Sequence, residues 1–351
     1  MQAKRITLSQ LAQQLNLSMA TVSRALRNDD AVNLETRSAV QRLASDLGYT
    51  PRTTRDRSAN RPPNSAMKGA FGFVQPLNSF AFEDPLLLDF VGGMASRTFE
   101  LGRLFHMVPT EVSQEEMCYG HLLEQGMFDG FILLNARPSA DWRIRYLQAS
   151  NIPFVVHGRG NEPVTYPCVD VGFRSGHRRA VEHLVELGHR NIALLNSLPG
   201  TLAAAEWDAG YREGLETIGA PIRANWLLSG PKTEEFGYRA LQQLLESEPA
   251  PTAIICSNVL SAKGAEQAIS DRGMTIGKDF SIVAYDDQLP GAFYAVPITT
   301  IFAPCRPMGA ALADLLDRAV AGEPYTNLQI HIEPELVVRA STGQAPRSPG
   351  A

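Results

Sequence analysis

Apolar positions in the first fifty residues recur at helical spacing. Leu8, Leu11, Ala12 and Leu15 fall at i, i+3, i+4 and i+7, on one face of a short helix. Thr7 or Ser9 can cap its start. Asn16 follows, one of the few residues besides glycine that tolerates the left-handed backbone of a tight turn. Ser18 offers a second cap, for a helix from Met19 to Arg27 with Val22, Ala25 and Leu26 facing inward. A third helix runs from Asn33 or Leu34 to Leu47, with Val40, Leu43, Ala44 and Leu47 as its stripe and Gly48 as its stop. Two short helices on a tight turn, closed by a third, outline a helix-turn-helix module.

From Ala70 the pattern changes to short apolar runs alternating with amphipathic helices. Predicted strands are Ala70–Val74, Leu104–Val108, Gly130–Leu134, Phe154–Val156, Ile192–Leu195, Ala253–Cys256 and Ile282–Tyr285. Predicted helices include Pro85–Leu101, capped by Asp84, and Glu115–Gln125, opened by a capping box at Ser113 and Glu116. Further helices are Ser175–Leu187, Ala203–Ile218, Phe236–Leu245, Ser261–Arg272 and Met308–Ala321. Strands buried on both faces and separated by helices indicate parallel α/β sheets. A body of about 270 residues exceeds one open sheet, so two lobes with a cleft between them are expected. Ligands in such folds sit beyond the carboxyl ends of the strands.

Composition adds an asymmetry. The 351-residue chain carries a net charge of −5, yet residues 1–68 hold eleven Lys or Arg against five acids. A basic head on an acidic body suits nucleic-acid contact confined to one end. The stretch from Arg52 to Lys68 is basic, poor in apolar residues and rich in breakers, and reads as a linker. No apolar run approaches the ~18 residues of a membrane span, and no apolar signal core opens the chain, so a cytoplasmic protein is expected. The four cysteines lie far apart, which suits buried thiols rather than zinc ligands or a disulfide scaffold.

Candidate chemistry concentrates on the second helix. Its outward positions are Met19, Ala20, Thr21, Ser23, Arg24 and Arg27. Hydroxyls and helix N-terminal amides suit phosphates. Arg24 has the fork geometry for a guanine edge, and Ala20 is small enough to meet a thymine methyl. Enzymatic signatures are missing. No G-x-G-x-x-G follows the first strand, Gly273 to Lys278 has the wrong spacing for a P-loop, and there is no G-x-S-x-G elbow. His177, His183 and His189 fall six apart, which does not align them for a metal. Asp286-Asp287 could form a carboxylate pair, although a loop cap is the commoner use. A protein without enzymatic activity, cofactor or metal is expected.

The runs Thr7–Ala12 and Leu17–Leu26, with Val32, Thr36-Arg37 and Leu47–Pro51, closely resemble the LacI family of bacterial transcriptional regulators. The resemblance continues through Ile152–Arg159, Val169–Val171, Leu187–Ala193, Gly210-Tyr211, Cys256–Asn258, Ser281–Asp287 and Pro297–Ile301. It implies an all-α helix-turn-helix head at 1–51, a hinge or linker at 52–68, and a two-lobed periplasmic-binding-protein-like α/β body at 69–343. A flexible tail at 344–351 would follow. It implies that Met19, Ala20 and Arg24 read base edges while Ser18, Thr21 and Ser23, with Thr7, hold the DNA backbone. Arg52, Arg55 and Arg57 would add contacts from the hinge, where Ser58 replaces the family's groove-wedging leucine.

In the body, the resemblance points to Gln75, Phe80, His157, Arg159, Trp207, Asn258 and Asp286 as effector contacts. Trp207 stands where the family usually has a ligand-binding arginine, and Lys232 where an aromatic residue is common; Trp207 serves equally well as packing. The string Pro153–Arg159 looks most like the subgroup that regulates α-glucoside use. The implied protein is a homodimeric regulator, a repressor of a carbohydrate operon, that binds double-stranded operator DNA and a small sugar. No heptad run follows Val338 to build a tetramer. An activator of the same kind, or a sugar-binding receptor without enzymatic activity, are the alternatives.

Overall fold

The computed structural model describes residues 8–26, 29, 32–47, 49, 69–77, 85–159, 165–286 and 294–346. Helices α1 (Leu8–Leu15), α2 (Met19–Ala25) and α3 (Leu34–Asp46) form the head. Leu11, Val22, Ala25 and Val40 are fully buried at its centre. Asn16 takes the left-handed conformation at φ 51°, which turns the chain between α1 and α2. The Asn33 side chain caps α3 by accepting from the Thr36 amide at 2.8 Å.

The body contains two parallel sheets. The first comprises β1 (Ala70–Pro76), β2 (Leu104–Thr110), β3 (Gly130–Leu133), β4 (Phe154–His157), β5 (Cys168–Val171) and β11 (Gln329–Ile332), in the order β11-β5-β4-β3-β1-β2. The second comprises β6 (Ile192–Ser197), β7 (Leu227–Gly230), β8 (Ala253–Cys256), β9 (Ser281–Asp286), β10 (Thr299–Phe302) and β12 (Glu335–Val337), in the order β12-β10-β9-β8-β6-β7. Only β12 runs antiparallel to its neighbour. Helices α4 (Pro85–Glu100), α5 (Glu115–Gln125), α6 (Trp142–Ala149) and α11 (Cys305–Val320) cover the first sheet. Helices α7 (Phe173–Glu186), α8 (Leu202–Glu216), α9 (Glu234–Leu245) and α10 (Val259–Asp271) cover the second.

The chain therefore changes lobe three times, after β5, after β10 and between β11 and β12. Sequence reading found the fully buried strands and overlooked β5, β7, β10, β11 and β12. Strands β7, β11 and β12 lie at sheet edges with half-exposed patterns, so their hydrophobic signal is weak. Helix α6 was overlooked because a buried arginine interrupts its apolar face.

Two local expectations are corrected. The capping box at Ser113 does not form: Val112–Gln114 make a 3-10 turn, and Gln114 precedes α5 with no side-chain cap. Hydrogen bonding extends past the expected tail boundary at 344, since the Ala345 amide donates to the Leu187 carbonyl at 2.8 Å. Asp84 lies outside the described residues. All four cysteines are free, three buried and Cys118 half-buried. Among the described residues no helix is long and apolar enough to cross a membrane, and no cluster of His, Cys, Asp and Glu could hold a metal.

One buried ion network holds the first lobe behind α5. Arg143 Nη2 lies 2.7 Å from Asp141 Oδ2, and Arg137 Nη2 lies 2.8 Å from Glu115 Oε2. Arg143 also approaches the buried Glu115 carboxylate at 3.6 Å. Burial pushes the Asp141 carboxyl up, but the Arg143 guanidinium and two backbone amides outweigh it and hold it below the usual carboxylate range. Arg143→Leu should destabilise the body by about 3–5 kcal/mol, because it takes the counter-ion from the buried Asp141 carboxylate and leaves Glu115 with Arg137 alone. Denaturant unfolding checks this, and a loss below about 1 kcal/mol would show that the network contributes little net stability.

Candidate nucleic-acid interface and interlobe site

The head meets the geometric demands of a helix-turn-helix reader. Ser18, in extended conformation, caps α2: its Oγ accepts from the Thr21 amide at 3.1 Å and lies 2.9 Å from Thr21 Oγ1. Ser18 and Thr21 are thus positioned at the exposed start of α2, where helix amides and hydroxyls can meet phosphate oxygens. Arg24 is half-exposed. Thr7, Arg52, Arg55 and Arg57, and the side chain of Ala20, lie outside the described residues.

Met19 and Ser23 share one face of α2, four residues apart, and that face is turned toward the body. Helix α1 packs on α5 and helix α2 on α6. The Met19 methyl occupies the place a side chain at Gly120 would take, with Tyr146 Oη 3.5 Å from that same point. Ser23 is correspondingly buried. In this placement Met19 and Ser23 face protein, so expecting the whole outward set of α2 to be free is corrected for these two. Reading DNA with Met19 requires the head to lift from α5.

The effector candidates divide differently. Gln75 and His157 end strands of the first sheet, while Asn258 follows β8 and Asp286 ends β9 in the second. These are carboxyl ends, where parallel sheets place their ligands. Between the lobes runs a series of rings. Phe90 on α4 lies 4.7 Å from His157, His157 lies 6.0 Å from Phe173, and Phe173 lies 5.7 Å from Trp207 and 5.8 Å from Tyr285. His177 stacks on Trp207 at 5.5 Å.

Three polar atoms in this series are buried without a hydrogen-bond partner: His157 Nε2, His177 Nε2 and Trp207 Nε1. Burial without a partner costs about 1–3 kcal/mol per group, so such groups mark a place where a ligand or water is wanted. His177 Nδ1 donates to the Phe173 carbonyl at 3.1 Å, which leaves its Nε2 as an acceptor. Burial lowers the His157 pKa to about 4, and the nearby Lys232 charge adds to the effect. Burial lowers that of His177 to about 3. Both rings are neutral at physiological pH, so the site presents uncharged donors and acceptors framed by aromatic faces.

Other candidates are engaged elsewhere. Gln75 Nε2 donates to its neighbour's carbonyl, Pro76 O, at 2.8 Å. Asn258 caps α10: its Oδ1 accepts from the Ser261 amide at 2.8 Å and its Nδ2 donates to Ser261 Oγ at 3.1 Å. A direct effector contact from Asn258 would have to replace that cap. Arg159 is exposed beyond β4. Phe80 and the Asp286 side chain lie outside the described residues. Sequence reading missed Phe90, Phe173, His177 and Tyr285. The one available signal was Phe173 two residues after the Val169–Val171 run, past Gly172, at a lobe crossing that only the topology reveals.

Residues 7–52 match the family model described as bacterial regulatory proteins, lacI family, and residues 181–342 match a periplasmic binding protein-like domain. The chain is 35% identical over 349 residues to the HTH-type transcriptional regulator AglR of Rhizobium meliloti (strain 1021), covering 98% of this chain and 96% of that one. A solved transcriptional regulator CelR–cellobiose complex superposes with a TM-score of 0.74 at 28% identity, covering 96% of this chain and all 100% of that one. The lac repressor dimer bound to operator and the anti-inducer ONPF gives 0.69 at 26% identity, covering 97% and 99%.

The Met19 contact generates a direct check. Gly120→Leu should expel the Met19 methyl from the body while raising the helix propensity of α5 by up to about 1 kcal/mol. The methionine methyl resonance reports it; an unshifted Met19 signal in the variant would show that Met19 does not occupy that hole.

Proposed function

The chain belongs to the LacI family and is a DNA-binding transcriptional regulator; from that premise we propose that it represses a carbohydrate uptake or utilisation operon in the cytoplasm and senses a small sugar between its lobes. The observation that carries the effector assignment is the trio of buried, partnerless atoms on His157, His177 and Trp207. A sugar supplies hydroxyls that donate and accept, and a C–H face that lies on aromatic rings. Neutral His157 and His177 suit an uncharged ligand. The string Pro153–Arg159 supports the α-glucoside class within that group. Trp207, Tyr285 and Asp286 would meet the sugar from the second lobe, and Phe90 and His157 from the first. Such a site recognises and releases its ligand unchanged, in keeping with relatives that are transcriptional regulators.

One α2 helix makes too few base contacts for operator affinity, so two copies read a near-palindromic site. A second copy has a surface available. Leu88 and Phe99 on α4, Leu104 at the start of edge strand β2, Val112 just past its end and Met117 on α5 are all exposed apolar residues, the kind of exposure that association would cover. The sugar acts through differential affinity for the two arrangements of lobes and heads. By linkage, a sugar that loosens DNA binds less tightly when DNA is present.

Two variants separate the heads from the sensor. Arg24→Ala should weaken binding to the chain's own upstream DNA by about 5- to 150-fold, the worth of one bidentate base contact, and leave saccharide binding intact. Fluorescence anisotropy on operator and scrambled duplexes measures it, and equal affinity of the unaltered protein for both duplexes would sink the regulator's operator specificity.

Asp286→Ala should do the reverse. Loss of a charged hydrogen-bond partner is worth about 1.5–3 kcal/mol, so the saccharide concentration needed to change DNA binding should rise roughly tenfold or more. A panel of maltose, trehalose, sucrose and cellobiose tests this by titration calorimetry and gel shift. An unchanged response removes Asp286 from the site, and no response from the unaltered protein to any sugar refutes the saccharide class.

A further inference from the structure

The third lobe crossing carries a charge cluster that neither the DNA interface nor the interlobe site uses. His331 on β11 lies opposite Asp170 on β5 in the parallel ladder. Its Nδ1 is 2.9 Å from Asp170 Oδ2, and its Nε2 is 2.8 Å from Glu333 Oε1. Glu333 lies in the short link from β11 to β12, which is the crossing itself. From the second lobe, helix α7 reaches the same carboxylate: Ser175 Oγ donates to Glu333 Oε2 at 2.6 Å, and Arg179 Nη2 at 2.7 Å. Arg179 Nη1 also donates to the Pro334 carbonyl at 2.8 Å. The first crossing joins in, because the Gly172 amide donates to the Ile332 carbonyl at 2.9 Å and Ser175 Oγ lies 2.9 Å from the Gly172 carbonyl, which shares the single hydroxyl proton with Glu333.

The geometry makes a demand on the imidazole. Both ring nitrogens face carboxylate oxygens, and a carboxylate only accepts. A neutral ring donates once, so one of the two contacts would set a lone pair against an anion. Only the imidazolium satisfies both. It also balances the cluster, since Asp170 and Glu333 then face His331 and Arg179. These are the charged groups that β5, the crossing link and α7 present to the ring among the described residues; the Ser175 hydroxyl is the neutral partner.

We propose that His331 is a proton-operated clasp on the interlobe hinge: as the imidazolium it ties the third crossing to β5 and, through Glu333, to α7, and on losing its proton it gives up one of its two carboxylates and loosens the crossing. Hydrogen bonding to Glu333, and then to Asp170, raises the His331 pKa above the ordinary imidazole range, against an opposing effect of burial. The sign follows. A group raised in the folded state contributes fully below its ordinary value, and the contribution fades as pH rises through the raised one. Side-chain exposures of 52% for His331 and 49% for Glu333 keep the effect modest. The clasp stands independently of the saccharide assignment; only its consequence for DNA release rests on that reading.

Amide hydrogen exchange of the full-length protein tests it, with rates corrected for intrinsic base catalysis and strand β8 as internal reference. Between pH 6 and pH 8.5, protection at residues 171–173 and 332–335 should fall by about two- to fivefold relative to β8, the range of a part-exposed ion pair. His331→Gln should show the low protection at both pH values. His331→Lys, which keeps its charge, should retain protection at pH 8.5. An imidazole titration by NMR should place His331 above an ordinary histidine. The clasp is overturned if wild-type protection is insensitive to pH, if His331→Gln shows the same fall, or if His331 titrates normally.

Discussion

Everything in the body depends on where the backbone passes between two sheets that are each complete in themselves. Parallel sheets bury both faces under helices, and one buried apolar cluster runs from Phe71 and Val155 in the first lobe to Trp207, Val283 and Ile301 in the second. The backbone joins them at three short crossings, after β5, after β10 and between β11 and β12. Two of these crossings are hydrogen-bonded to each other through Gly172 and Ile332. The hinge is therefore confined to a few residues, and a small free energy applied there moves a whole lobe. Rigid lobes with a restricted hinge are the physical condition for turning ligand occupancy into a change of shape.

The aromatic series gives that hinge something to respond to. Phe173 is the first residue of α7, immediately past the first crossing, and it touches His157 from one lobe and Trp207 and Tyr285 from the other. Dense cores resist gradual distortion, so packing at such a junction favours discrete arrangements over continuous ones. A ligand that satisfied the partnerless atoms on His157 and Trp207 would favour whichever lobe angle brings them together. The energy available is that of two or three rescued polar groups, a few kcal/mol, which matches the usual scale of allosteric coupling of about 1–3 kcal/mol.

Much of this was legible in the sequence, and the divide follows physical lines. The head announced itself because three helices, a left-handed Asn16 and a Ser18 cap are all local features, and each appears in the structure. Central strands such as β4 and β8 were legible as continuous apolar runs. The edge strands β7, β11 and β12 were not, since half-exposed segments such as Gln329–Ile332 alternate with polar residues and resemble loops, whereas the longer edge strand β2 was. The ring junction was legible only at His157 and Trp207, for another reason. Phe90, His157, Phe173 and Tyr285 are almost two hundred residues apart at their extremes, and only topology assembles them. Asn258 adds what sequence position alone does not show: its side chain caps α10.

The docked face of α2 bears on whether the reading helix is available to DNA. Burying one methionine side chain is worth about 1.5–3 kcal/mol at most, and α1 adds its own packing on α5. Non-specific DNA binding through basic residues, with dissociation constants of about 10⁻⁴–10⁻⁶ M, corresponds to roughly 5.5–8 kcal/mol before any base is read. The head carries the positive charge and the body the negative, so duplex DNA draws on the former and is repelled by the latter. A contact of this size shifts the operator affinity without closing the route to the groove. The same unbranched, apolar tip that fills a hole at Gly120 can meet a base methyl, and the choice between them is decided by the phosphates.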